Sequence, residues 1–204
     1  TEFRFNDSLI NGNGIEFMKL MRLLSQYNSK LKKQDTLRWN SFFIFRPKSQ
    51  MSENDWKLIS DSARSLVVGV ESLVDHVRHH MRKKFTNIDL DHCLTMCKKY
   101  KIHVQMLLIV GYVTDTDETN TETVEWFNKN KHFAGDPIWS TFFTGSAYIL
   151  PNTELHRRKD ELGLQWDNKE SEDDQSWNTL IGWHTANGKN DPQKRMRWVQ
   201  EQQE

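Results

Sequence analysis

The chain has 204 residues, enough for one large domain or two small ones around a sizeable core. Its 28 basic and 28 acidic side chains cancel to a formal net charge of zero, so no global basic field marks a nucleic-acid or membrane-surface partner. Two cysteines, Cys93 and Cys97, are too few for a disulfide framework, and no stretch reads as a signal peptide or membrane span, so the expected setting is reducing and cytoplasmic.

The apolar pattern changes period repeatedly, setting a short strand-like run before a longer helix-like one. TEFRF at the start alternates like a strand, and NDSLINGNG follows as a polar turn rich in Asn and Gly. The next run, IEFMKLMRLLSQYNSKLKK, puts Phe17, Leu20, Met21 and Leu24 on one helical face. LRWNSFFIFRP is a second strand with its core at Phe42 to Phe45, stopped by Pro47, which has no N–H to give to a ladder. Ser52, with Glu53 and Asp55 behind it, opens a helix running to about Ala63. SLVVGVES is the third strand. Two helical pieces follow, DHVRHHMRK and TNIDLDHCLTMCKKYK, the second capped by Thr86 or Asn87 and closed by Lys98, Lys99 and Lys101. IHVQMLLIVGY is the fourth strand, TDTDETNTETVEWFNKN a loop feeding an acidic helix start, and DPIWSTFFTGSAYILP a fifth strand with a long loop. DNKESEDDQ reads as an acidic, solvated linker and PQKRMRWVQEQQE as a terminal helix begun by Pro192.

Strand starts near 2, 37, 65, 103 and 138 recur at the spacing of βαβ units. This rhythm predicts an α/β protein with parallel strands, and both a doubly wound sheet and a βα barrel fit it. In either case ligands sit at the carboxyl ends of the strands. Those ends carry Asn6, Asp7 and Ser8; Arg46; Glu71 and Ser72; Gly111 and Tyr112; and Thr144 with Gly145. An ionised Glu71 at the end of a core strand is costly unless it is paired or used, so it calls for a local partner or a ligand.

The run GVES, with DHVRHHMRKKFTNIDLDHCLTMCKKYKIHVQMLLIVGY after it, resembles the middle of a radical S-adenosylmethionine enzyme, especially the class that carries a cobalamin-binding domain. FRFNDSLINGN is similar to the second strand and loop of that class, and LRWNSFFIFRP to its third strand. ILPNTEL is similar to the turn after the sixth strand, with Asn152 where the family more often has Gly. The tail, with a Trp, an Asn, a Pro and a basic helix, is also similar. The resemblance runs in consistent order over about four fifths of the chain. It implies a partial (βα) TIM-like barrel over residues 1–165, supplying strands two to six and truncated at the N-terminus. Residues 166–204 would then be the acidic linker and a C-terminal helical extension.

By the same resemblance, S-adenosylmethionine lies across the strand ends. Asp7 and Ser8 would hold its amino group, Glu71 and Ser72 would face its ribose or polar tail, and Ile109, Val110 and Gly111 would pack along the adenine. Arg46 is the candidate for its carboxylate, which a planar guanidinium suits. The family's [4Fe-4S] cluster needs three cysteines, usually spaced CxxxCxxC, and this chain has only Cys93 and Cys97 in the helical segment CLTMC. The chain is therefore expected to be a catalytic-barrel fragment that binds no cluster and makes no radical by itself, with the first βα unit missing ahead of Thr1. In the intact parent the implied cofactors are S-adenosylmethionine, the cluster and, in this class, cobalamin. A non-catalytic binding or assembly module on a degenerate barrel is the rival reading, because a barrel does not fix function.

Other readings stand beside these. Glu71 can pair with a nearby Lys or Arg while Ser72 caps the next helix, and Asp7 with NGNG can form Asx turns at a strand end. Cys93 and Cys97 read as core residues, and His76, His79 and His80 as a solvated helix face rather than a metal site. The eight tryptophans are scattered and read as packing residues. No nucleic acid or membrane is expected as a partner. Self-association through the unpaired edge at TEFRF is expected, and the substrate is not legible.

Overall fold

The computed structural model describes residues 1–135, 139–166 and 180–203. These fall into two compact units: residues 1–71, 82–108 and 130–142 form one, and 72–81, 109–129 and 143–204 the other. The acidic run DNKESEDDQ lies outside the described residues, as do the side chains of Thr144 and Gly145.

The first unit is built on parallel strands. β1 (Glu2–Arg4), β2 (Arg38–Phe43), β3 (Ala63–Glu71) and β4 (His103–Val110) pair in sequential order, each parallel to the next, and β5 (Trp139–Ser146) follows β4 in the same sheet. Helices α1 (Gly14–Asn28), α2 (Glu53–Ser60) and α4 (Asn87–Tyr100) connect these strands, with a short α3 (Asp75–His80) ahead of α4. Because βαβ crossovers are right-handed, a chain that always adds its next parallel strand on the same side keeps every connecting helix on one face of the sheet. The winding is thus that of a βα barrel rather than of a doubly wound sheet, whose strand order reverses.

The strands show this asymmetry residue by residue. In β2, Trp39, Ser41 and Phe43 are buried while Arg38, Asn40 and Phe42 are half-buried. Trp39 and Phe43 meet Phe17 of α1 at ring distances of 6.2 and 5.7 Å, and Trp56 of α2 lies 6.1 Å from Phe43 and 6.3 Å from Phe45. Leu66, Val68, Val104 and Met106 extend this core across β3 and β4, and Leu90, Leu94 and Cys97 bring α4 into it. The alternation is the period-two signature of a sheet covered on one side.

The helix boundaries follow from their caps. Asn13 caps α1 by accepting from Ile15 and Glu16 N–H groups. The sequence pattern predicts this helix to continue to Lys33, but it stops at Asn28, whose buried amide instead bonds the backbone of Leu37 and the carbonyl of Asp61. Ser52 with Asp55, and Thr86 with Asp89, form capping boxes at α2 and α4. Lys101 ends α4 in the left-handed region.

In the second unit are α5 (Asp117–Asn130), α6 (Glu154–Arg157), β6 (Leu164–Trp166), β7 (Trp183–Thr185) and α7 (Pro192–Gln203). β6 and β7 form an antiparallel pair. Val113, Ala147, Ile149, Leu164, Trp166 and Trp183 make its apolar core. The described part of the tail therefore packs with residues 109–129 in one unit, and α7 begins at Pro192 as its sequence predicts. Trp39, Trp56, Trp126, Trp166, Trp183 and Trp198 are all buried, as packing residues should be. Among the described residues no helix is long and apolar enough to cross a membrane.

Candidate functional site

The carboxyl ends of β1 and β2 are tied together by one side chain. Buried Asn11 donates to the Ile44 carbonyl and accepts from the Ile44 N–H, both at 2.9 Å, so its amide acts as a further rung on the ladder beyond the end of β1. Ile10 N–H bonds the Phe42 carbonyl at 3.1 Å. Asp7 and Ser8 stand in the exposed part of this loop, ahead of the tie. Arg46 follows β2 and donates to the carbonyls of Asn11 and Gly12, at 2.5 and 2.9 Å. Arg46 lines a 560 Å³ cleft with Asn11 to Ile15, Gln50, Met51 and the carboxylate residue Asp55. That volume is in the range of small-molecule sites, and Arg46 is a cation facing it.

β3 ends differently from the straight strand that SLVVGVES predicts. The pairing with β4 slips between Gly69 and Glu71, and Glu71 adopts a φ of 67°. A carboxylate residue in the left-handed region at a bulge is a strained position of the kind found near functional sites. The bulge turns the Glu71 carboxylate back along the strand, where Lys83 meets it at 3.0 Å and also donates to the Gly69 carbonyl at 3.2 Å. Glycine at position 69 leaves room for this arrangement, since a Cβ there would stand 2.3 Å from Glu71 Oε1 and push the carboxylate aside. Glu71 thus has the local cationic partner that its position demands. Its side chain keeps 22% exposure and that of Lys83 25%, which leaves the pair reachable by a ligand.

Ser72 is buried and closes a small turn, its Oγ accepting from Val74 N–H at 3.2 Å. It precedes α3 without capping it directly, since the N-cap position is Val74. Arg78, which falls between the histidines in sequence, is buried, donates to the Ser72 carbonyl at 2.6 Å and pairs with Asp75. His76 and His79 are exposed, whereas His80 Nδ1 lies 3.1 Å from the Tyr112 hydroxyl. Among the described residues no group of three His, Cys, Asp or Glu side chains could hold a metal ion.

At the end of β4, Ile109 packs against the second unit's apolar core and Val110 is buried. Gly111 has φ +77°, and a Cβ there would fall 2.2 Å from the Arg195 side chain. Asn190 donates to the carbonyls of Gly111 and Tyr112 at 3.3 and 2.7 Å. Asp115 holds the same turn, accepting from Tyr112 N–H at 2.7 Å and from Thr119 Oγ1 at 3.2 Å. Burial pushes the Asp115 carboxyl up to about 6 against these hydrogen bonds. Sequence reasoning missed Asp115, Asn190 and Arg195. Asn152 takes φ 64°, and Asn is among the non-glycine residues that tolerate this region best.

The cysteines do not fit a cluster. Cys93 and Cys97 are buried on α4, burial pushes the Cys93 thiol up to about 12, and burial likewise raises Cys97. A cluster needs thiolates. These two thiols are core residues, as their apolar neighbours predict.

No family model matches the chain, and no curated protein matches it in sequence. Solved structures do. The radical S-adenosylmethionine methyltransferase TsrM from Kitasatospora setae, with cobalamin and a [4Fe-4S] cluster bound, superposes with a TM-score of 0.61 at 17% identity, over 82% of this chain and 33% of that one. The cobalamin-dependent S-adenosylmethionine radical enzyme OxsB gives 0.58 at 16% identity, over 93% and 31%. Elp3 from Methanocaldococcus infernus gives 0.53 at 13%, over 78% and 40%. The chain therefore shares the fold of these radical S-adenosylmethionine structures, and it spans about a third of the length of those it matches first.

Proposed function

We propose that this chain is the catalytic-barrel part of a radical S-adenosylmethionine enzyme and that its own task is to bind and orient S-adenosylmethionine at the carboxyl ends of its strands. The observation that carries this reading is the singly wound parallel sheet whose strand ends carry Arg46 and a bulged, ion-paired Glu71, within a fold shared with TsrM. Arg46 would receive the carboxylate of the methionine moiety through its planar fork. Asp7 and Ser8 would face the amino group, Glu71 and Ser72 the ribose or polar tail, and Ile109, Val110 and Gly111 the adenine. Reductive cleavage of S-adenosylmethionine to methionine and a 5′-deoxyadenosyl radical is the cluster's chemistry in a complete parent, where cobalamin would serve methyl transfer. The two buried thiols of this chain, Cys93 and Cys97, do not suit that cluster.

A second reading has its own support. Arg46 Nη2 and the Glu71 carboxylate already have partners within the chain, and both thiols are buried, as a binding or assembly module that has lost the cluster would show. Calorimetric titration of the chain with S-adenosylmethionine, beside Glu71→Ala and Arg46→Gln, decides between them. Saturable binding that both substitutions weaken with the fold intact supports the first reading; affinity unchanged in both variants removes the assigned roles. The outer edge of β1, at the end of the sheet order, is also where a second copy would pair, and a sharply monodisperse monomer at high concentration in sedimentation counts against that.

A further inference from the structure

The face of the sheet that the helices leave open is polar where barrels of this winding are apolar. In the amino-terminal halves of β2, β3 and β4, Asn40, Ser65 and His103 stand in cross-strand register, and Arg4, the last residue of the three-residue β1, continues the row. Side chains alternate between faces, so residues paired in this way share one face. Barrel interiors fill such layers with Val, Ile and Leu. Here Asn40, Ser65 and His103 are half-buried beside the exposed Arg4, and polar groups drawn out of water in this way call for polar partners.

Around this layer lies a cleft of 510 Å³, lined also by Glu2, Arg38, Arg64, Lys101 and Gln105. Its charge is one-sided. Arg4, Arg38, Arg64, Lys101 and His103 bring basic groups, and the single carboxylate, Glu2, is already taken by Arg64 at 3.1 Å. Two further contacts hold the walls in place. Arg38 Nη2 donates to the Ala63 carbonyl at 2.9 Å, and Ser65 Oγ lies 3.3 Å from His103 Nδ1. Even so, the cleft is not satisfied from within, because Arg38 Nε and Asn40 Oδ1 are buried with no hydrogen-bond partner among the described residues. A concave, half-enclosed site with convergent cations and hydroxyl and amide groups is complementary to a small anion, and its low-dielectric floor strengthens each contact.

We propose that this cleft binds a small phosphate-bearing ligand at the amino ends of the strands, opposite the carboxyl ends where S-adenosylmethionine is proposed to lie. The two sites are independent, and either can fail alone. The probe is inorganic pyrophosphate, titrated calorimetrically into the full chain at low ionic strength, where contacts between exposed charges are least screened. The expected result is saturable binding that Arg38→Gln and His103→Gln each weaken tenfold or more and that Lys19→Gln, on the exposed side of α1, leaves unchanged. If Arg38→Gln does not fold, Arg4→Gln, at an exposed position of the same cleft, takes its place. Absence of binding to the folded wild-type chain overturns the proposal, and so does affinity that is equal in the wild type and the cleft variants.

Discussion

Arg195 is a strong test of how the tail holds the end of β4. Its side chain has no solvent exposure. Nε donates to Ser146 Oγ at 2.9 Å, Nη1 to Asn190 Oδ1 at 2.8 Å, and Nη2 to the carbonyls of Ile181 and Trp183, the second at 2.8 Å. The guanidinium also lies 3.9 Å over the Trp183 ring. Replacing Arg195 with Met keeps the volume and removes every donor. Unpaired buried acceptors cost about 1–3 kcal/mol each. Against that, burial without a carboxylate in contact already penalises the charge and pulls the guanidinium down to about 10, so removing it returns part of the loss. The net destabilisation expected is about 3–5 kcal/mol, a large share of a typical domain's stability. Arg195→Lys should lose somewhat less, since an ammonium retains the charge but not the fork. Urea unfolding followed by tryptophan fluorescence reads this directly, with Trp183 and Trp198 as buried reporters. A loss under about 1 kcal/mol for Arg195→Met would refute the view that the fork organises this unit.

Two further outcomes are expected. Burial raises the folded-state pKa of Asp115 to about 6 from an ordinary 3.8, so its contribution to stability is fully present below the unfolded value and is lost as pH rises through about 6. Asp115→Asn keeps only one of the two acceptor oxygens that Tyr112 N–H and Thr119 Oγ1 bond separately, but it removes the titration, so thermal melts from about pH 4 to pH 8 should lose part of their slope whatever the offset in stability; identical slopes in the two proteins would show that Asp115 is not the source. Gly69→Ala should displace the Glu71 carboxylate from Lys83 and destabilise the first unit by about 1–3 kcal/mol, because the new Cβ meets Oε1 at 2.3 Å. A crystal structure of that variant with the ion pair unmoved would contradict the close approach.

The strand and helix rhythm was legible because each element has a single period and its own punctuation. Ser52 and Thr86 stand three residues before a carboxylate, and the structure makes both into capping boxes. What sequence could not separate was a doubly wound sheet from a barrel, since that depends on which side each strand is added. The pair formed by Leu164–Trp166 and Trp183–Thr185 was missed because three residues are too few to show alternation. Arg78 and Arg195 carry no sequence mark of burial, because arginine is usually solvated and their acceptors are carbonyls fixed only by the fold. For Glu71 the sequence demanded a partner without naming it. Lys83 lies twelve positions further on, and the slipped register that brings them together is a property of the sheet.

A crystal structure of the chain with S-adenosylmethionine tests the central claim most directly. Density across the carboxyl ends of the strands, with the methionine carboxylate on Arg46 and a polar group of the ligand at Glu71, is the predicted result. Density confined to the amino-end cleft around Arg38, or a carboxyl end left empty at saturating ligand, would contradict it.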